Sequence, residues 1–341
     1  MTHHSKAPFR IGLAGGGTDV SPYCDQFGGA VVNVTINKYA HASILPRNDG
    51  KIVFIQENTG KRWEGKAELE ITVDDDFFLQ QGVYNHIAKY FNKAPLSFEL
   101  VTSMDVPTGS GLGTSSTLVV AIIAAFAEWL KLPLGNYDLA RIAYEIERLE
   151  LDKNGGRQDQ YAATFGGFNF IEFRQDDTVI VNPLDLDKNF TNDLAYSLVL
   201  FYMKTSRASA HIIEKQQENV RKGKTEAIEA THQLKQSTWA MKEALLQSDI
   251  VKLGKIMDES WQNKKKLSTN ITNTKIYAIY DAAKDAGAVG GKISGAGGGG
   301  FMMFCCPEHT KTKVVQALLQ LGGQVFPYSF VNQGVEKWTS H

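Results

Sequence analysis

Pro107, Thr108, Gly109, Ser110, Gly111, Leu112 and Gly113 run without a break into Thr114, Ser115 and Ser116, and then into the apolar stretch Leu118 to Leu130. Glycine belongs where the backbone takes a positive φ, or where a ligand must come close without meeting a Cβ. Successive free N–H groups form a concavity that suits an anion, and the start of a helix adds unpaired donors and partial positive charge. A helix cap alone needs one hydroxyl and at most one glycine. The segment therefore reads as a phosphate cradle at the head of a helix. Two more clusters, Gly15-Gly16-Gly17 and Gly295 with Gly297 to Gly300, use the same residue type. A tight turn accounts for one such loop, whereas three ask for a ligand.

Two common phosphate loops fail on inspection. No lysine follows the glycines of the 107–116 segment, so it is not G-x-x-x-x-G-K-[ST]. Gly295 to Gly300 satisfies G-x-G-x-x-G, but Phe301 to Cys306 after it is strand-like, whereas a dinucleotide fingerprint opens a helix. An NAD-linked oxidoreductase is thereby demoted.

In order and spacing, Arg10 to Asp19, Pro107 to Ser116 and Lys292 to Gly300 resemble the three motifs of the galactokinase, homoserine kinase, mevalonate kinase and phosphomevalonate kinase (GHMP) family, across nearly the whole chain. The resemblance implies an ATP- and Mg2+-dependent small-molecule kinase. It assigns the nucleotide phosphates to the 107–116 loop (Pro107, Gly109, Ser110, Gly111, Leu112, Gly113, Thr114, Ser115 and Ser116). Mg2+ goes to Ser115 and to Glu147, which stands twelve residues before Asp159, with Glu150 and Asp152 as alternatives. Asp159 takes the place of the proposed general base, and Arg10 that of the cation keeping it ionised. Asp19 sits where galactokinases bind sugar, beside Gly16, Gly17 and Thr18. Galactokinases carry Gly-Glu-His before that Thr-Asp, and this chain carries three glycines, which lowers the galactokinase reading. The third motif, with Gly297 and Gly298, should complete the site from the C-terminal half.

The segments Ala14–Tyr23, Gly155–Phe170, Leu198–Ile213 and Glu259–Phe301 resemble the branch of this family that phosphorylates the anomeric oxygen of a heptose 7-phosphate. Such an acceptor needs a second anion site, for which Lys204, Arg207 and Lys264 to Lys266 are candidates. The charge runs Asp74-Asp75-Asp76 and Lys264-Lys265-Lys266 are otherwise solvated faces. An L-fucose kinase or galactokinase-like sugar 1-kinase is the close competitor, and a sugar-sensing homologue without turnover is the non-enzymatic one.

The elements that must carry these residues read as α+β. Strands are expected near 8–14, 30–45, 52–56, 68–73, 97–103, 168–173, 196–203, 289–294 and 300–306. Helices are expected at 114–131, 136–152, 207–247, 249–267, 273–286 and 308–321. The family resemblance implies two domains, a ribosomal-S5-like nucleotide-binding half (1–190) and a ferredoxin-like half (191–341). The turn-rich segment 183–193 is the best boundary.

Composition agrees with a soluble enzyme: 36 Lys and Arg balance 37 Asp and Glu, and 43% of positions are hydrophobic. No strongly basic domain suggests nucleic acid. Leu118–Leu130 is too short to cross a bilayer, the N-terminus has no signal-peptide stretch, and three cysteines without C-x-x-C spacing give neither a disulfide framework nor a zinc site. The expected setting is cytoplasmic and the expected partners are ATP and a sugar phosphate, without nucleic acid or membrane; a homodimer is allowed. Phe301 and Phe304 read as core, and Cys305 and Cys306 as opposite faces of one strand.

Overall fold

The computed structural model describes residues 1–205, 209–268, 271–307 and 309–341. Buried and half-buried side chains alternate at the start of β1 (Thr2–Ala14), and burial is continuous from Ala7 to Ile11. β1 lies inside a sheet of order β12-β1-β2-β5-β3-β4. The long β2 (Gly29–Pro46) meets two different partners on its other edge: Gly29–Val34 pairs with β6 (Phe168–Phe173), and Ala40–Pro46 with β5 (Phe98–Met104). β3 (Lys51–Gln56) runs parallel to β5 and antiparallel to β4 (Lys61–Lys66), and β7 (Val179–Pro183) closes on β6. The register of β1 on β2 shifts on both sides of Arg10, between Pro8 and Arg10 and between Gly12 and Ala14. Such irregularities re-aim side chains and are common beside active sites.

The first half also carries α1 (Tyr23–Phe27), α2 (Phe78–His86), α3 (Thr114–Trp129), α4 (Asn136–Tyr144) and α5 (Gln158–Phe165). α3 is apolar nearly all round and packs on β1 and β2, which is how a helix behaves inside a core rather than in a membrane. α4 continues through a π-helical turn, Glu145–Glu150. No helix among the described residues is long and apolar enough to cross a membrane.

The second half contains α6 (Lys188–Ser197), β8 (Leu198–Tyr202), α7 (Ser209–Arg221), α8 (Thr225–Leu246), α9 (Ile250–Leu267), α10 (Thr274–Asp285), β9 (Gly290–Ile293), β10 (Phe301–Cys305), α11 (Lys311–Leu319) and β11 (Gln324–Val325). Its strands form an antiparallel sheet of order β11-β8-β10-β9. β10 is buried on both faces. Phe301, Met303 and Cys305 join the core that includes β1 and α3, while Met302, Phe304 and Cys306 join a second core with α9 and α10. The fold is thus α+β, and its halves share one apolar core to which β8, β10, α8 and α9 contribute from the second half.

Several sequence expectations change. No strand forms over 68–73, because the Asn85 side chain bonds both the N–H and the carbonyl of Ile71 (2.9 and 2.8 Å) and takes the place of a strand partner. The strand in that region is the charged edge β4, which carries no apolar run. The 183–193 segment is only partly turn: Asp187 caps α6 by accepting from the N–H groups of Asn189 and Phe190. β12 (Glu336–Ser340), from the far end of the chain, adds to β1 in the first sheet. The helical pattern over 207–247 resolves into α7 and α8, separated around Gly223 at φ 63°.

Candidate active site

The three glycine loops meet at the end of β1. Loop 107–116 leads into α3, with Gly109, Gly111 and Gly113 at φ 70°, 81° and 81°. A Cβ on Gly111 would lie 2.4 Å from the Ser294 carbonyl, and one on Gly300 2.2 Å from the Ser110 carbonyl. The Phe301 N–H donates to Ser110 O (3.1 Å), and Ser294 Oγ donates to Gly111 O (3.0 Å). The third motif therefore buttresses the second one backbone to backbone.

Between them opens a cleft of about 260 Å³ that includes Arg10, Asp19, the head of α3, Glu147, Asp159 and Gly295. Arg10 is buried; its Nε donates to Asp159 Oδ1 (2.6 Å), its Nη2 lies 2.6 Å from the same oxygen, and its Nη1 donates to Gly111 O (2.8 Å). One guanidinium thus joins the carboxylate to the 107–116 loop. Asp159 lies in the first turn of α5 rather than in a loop, and a Cβ on Gly113 would come within 3.1 Å of its Oδ2.

Asp19 is buried and immobilised. Its Oδ1 accepts from Gly17 N and Gln158 Nε2, and its Oδ2 from Gln158 N, all at 3.1 Å. A Cβ on Gly156 would fall 1.9 Å from Oδ2, so glycine is required there. Gly16 and Gly17 also border the cleft. Thr18 bonds the backbone of Ala30 instead, donating to its carbonyl and accepting from its N–H.

Glu147 is only 1% exposed, so it is not a solvated residue of its helical turn. Its Oε2 accepts from Gln160 Nε2 (2.7 Å), which also reaches Ser116 Oγ (3.1 Å). Arg148 lies 3.6 Å from Glu147 Oε1 and donates to Ser116 Oγ at 3.3 Å. Ser115 is exposed at the helix head and borders this cleft and a second one. A hydroxyl and a carboxylate facing one cleft fit Mg2+, which needs only one or two protein oxygens when phosphates supply the rest. Among the described residues no group of three or more His, Cys, Asp or Glu forms a metal cage. Glu150 instead pairs with His86 at 2.8 Å, and Asp152 does not border the cleft.

The second cavity, about 750 Å³, contains Gln56, Asn58, Met104, Pro107, Thr108 and Leu118, and it shares Phe78 and Ser115 with the first. Lys153 stands at the junction, its ammonium 4.7 Å from the Phe78 ring. Ser110 and Leu112 are buried and act through the backbone; Leu112 O accepts from Arg10 N at 3.4 Å. Gly298 donates to Ile271 O, and a Cβ on Gly297 would strike Ile271, so both shape the third loop away from the cleft lining. Lys204 is exposed at the turn after β8, outside that lining. Arg207 lies outside the described residues.

The structure buries two lysines at this site: Lys264, a sequence candidate for the second anion site, and Lys292 of the third motif. Lys264 looks like part of a solvated run, yet it is 4% exposed, with Nζ 2.7 Å from Gly295 O and 3.5 Å from Gly16 O. Burial lowers its pKa to about 8, Asp19 opposes that shift, and Arg10 adds to it. Lys292, at the head of the third motif, donates to Gly12 O (2.8 Å), and burial, then Lys264 and Arg10, hold its pKa well below that of an ordinary lysine. The sequence signals were the candidacy of the Lys264 run for an anion site, the position of Lys292 in its motif and the adjacency of Gln158 to Asp159. The combined site can hold a polyanion on one wall and present a hydroxyl to a carboxylate on the other.

Comparison with known proteins is consistent with this geometry. The GHMP kinases N terminal domain matches residues 79–167, and the GHMP kinases C terminal domain matches residues 241–324. A D-glycero-alpha-D-manno-heptose 7-phosphate kinase from Campylobacter jejuni is 45% identical over 337 residues, 99% of both chains. The crystal structure of a D-glycero-D-manno-heptose 1-phosphate kinase from Bacteroides thetaiotaomicron aligns with a TM-score of 0.85 at 43% identity, covering 99% of both chains. An L-fucokinase/L-fucose-1-P guanylyltransferase from Bacteroides fragilis is 27% identical over 92% of this chain but 35% of its own length.

Proposed function

This chain belongs to the GHMP kinase family, and from that premise we propose that it transfers the γ-phosphoryl group of ATP to the anomeric oxygen of D-glycero-D-manno-heptose 7-phosphate. The observation that carries the reading is the Asp159 carboxylate, paired with Arg10 and pressed against the head of α3 at Gly113. A phosphoryl group resting on that helix head lies beside a carboxylate able to accept the hydrogen of an attacking hydroxyl. The choice of sugar is supported by full-length identity to a heptose 7-phosphate kinase.

In this reading the backbone of the 109–116 loop and the N-terminus of α3 hold the β- and γ-phosphates, and the larger cavity, which meets the cleft at Ser115, takes the nucleoside. Ser115 and Glu147 would hold Mg2+, which would supply positive charge against that of the phosphates. Asp19, fixed by Gln158 and Gly17, accepts hydrogen bonds from sugar hydroxyls. Asp159 receives the hydrogen of the anomeric hydroxyl as the O1–P bond forms and the bond to the β-phosphate oxygen breaks, releasing ADP. Arg10 keeps Asp159 charged and ties it to Gly111 O. Lys264 holds the first and third loops together. Lys204 and Arg207 are the cations we assign to the distal phosphate. ATP supply and three buried free cysteines suit a cytoplasmic setting.

The test is an ADP-release assay with ATP and Mg2+, offering D-glycero-D-manno-heptose 7-phosphate, D-glycero-D-manno-heptose 1-phosphate, L-fucose and galactose. Preferred turnover of the 7-phosphate to a 1,7-bisphosphate is expected. Preference for an unphosphorylated sugar or for the 1-phosphate would reject the acceptor and leave the kinase standing.

A further inference from the structure

Gln216 projects from α7 and is 9% exposed, yet its Nε2 has no hydrogen-bond partner among the described residues. Buried polar groups are nearly always paired, so an orphan at a cleft wall asks for a ligand. The side chain borders the same cleft as Gly17, Asp19 and Asp159, and a Cβ on Gly17 would lie 3.7 Å from Gln216 Oε1. Behind it, toward Val20, Tyr23 and Leu267, lies a void of only about 10 Å³. That space is at the lower limit for a single water, and it is bordered by Ser21, Gln217 and Thr231 as well as by Val20, Val220 and Leu267. The cleft, at about 260 Å³, is the space on the other side with room for a ligand.

Its chemistry follows from the facing groups. Asp19 offers only acceptors, whereas Gln216 Nε2 offers only donors. A hydroxyl both donates and accepts, so a polyol can satisfy both residues at once. We infer that Gln216 is a specificity-determining residue of the acceptor site, its amide donating to a hydroxyl oxygen of the sugar that Asp19 holds. The inference rests on the kinase reading above. It also explains why α7, a helix of the second half, reaches a site built mainly by the first: the acceptor is recognised across the two halves.

The test compares wild type with Gln216→Leu, which removes the donor, and Gln216→Glu, which keeps the size but replaces the donor with an acceptor. KM and kcat are measured for D-glycero-D-manno-heptose 7-phosphate and for L-fucose, with KM for ATP and the melting temperature alongside. An unpaired buried group on the enzyme–sugar complex raises the acceptor KM about 10- to 100-fold, while KM for ATP and the melting temperature stay at wild-type values. If Gln216→Leu does not fold, Gln216→Glu carries the test. An acceptor KM within about twofold of wild type, or an equal rise in KM for ATP with a lowered melting temperature, overturns the inference. If wild type turns over L-fucose but not the heptose and the variants raise KM for L-fucose, the acceptor proposal fails and Gln216 stands. Turnover of neither sugar overturns both.

Discussion

Gly111 and Gly295 meet backbone to backbone: a Cβ on Gly295 would lie 2.7 Å from Gly111 Cα, and both residues hold φ values above 70°. The 107–116 loop of the first half is thus shaped by the last motif of the second. Gly111→Ala should combine left-handed strain with a clash against Ser294 O, destabilising the fold by about 2–4 kcal/mol and weakening ATP binding. Denaturant unfolding and calorimetric ATP titration check this. Wild-type values in both would mean that the two loops yield freely.

Asp159→Asn preserves the shape of the side chain and removes its charge. We expect kcat to fall by about 10²–10⁴-fold, the usual range for lost acid–base assistance, with ATP affinity nearly intact. Arg10→Met should lower kcat as well, because Asp159 loses its partner and Gly111 O its donor. Rapid-quench kinetics with a parallel nucleotide-binding measurement separate chemistry from binding. Normal turnover by folded Asp159→Asn would exclude Asp159 from the reaction.

Glu147→Gln retains an acceptor for Gln160 but loses the charge proposed for Mg2+. The Mg2+ concentration giving half-maximal rate should rise on the order of tenfold, with the sugar KM little changed. A Mg2+ titration at fixed ATP reads this directly, and an unchanged titration curve would assign Glu147 to the Gln160–Ser116 network alone.

Lys264 gives the site a pH dependence with opposite signs in activity and stability. Burial holds its pKa at about 8, against 10.5 for an exposed lysine. Its charge in the folded protein is therefore lost as pH climbs through about 8, and kcat/KM should show a basic limb there that Lys264→Met lacks. Between about pH 8 and 10.5 the unfolded chain binds the extra proton, so wild-type stability should rise with pH relative to Lys264→Met over that window. Superimposable pH profiles of rate and unfolding for the two proteins would contradict the assignment.

The sequence by itself determined the three glycine-rich loops with their positive φ values and, through family resemblance, the pairing of Arg10 with Asp159. Those features rest on residue types at short spacings: glycines that accept positive φ, hydroxyls at a helix head, and charges within motifs whose chemistry leaves few alternatives. The burial of β10 on alternating faces was likewise legible from its apolar run. Only the tertiary structure decided the rest. Lys264 touches Gly16 across 248 positions and Lys292 touches Gly12 across 280, and no local pattern distinguishes a buried ammonium from a solvated lysine run. β12 joins β1, the Asn85 amide displaces a strand, and α7 brings Gln216 to the cleft. Each depends on contacts between segments far apart in the chain, and burial, which sets both the pKa of Lys264 and the need of Gln216 for a partner, exists only once those segments have packed.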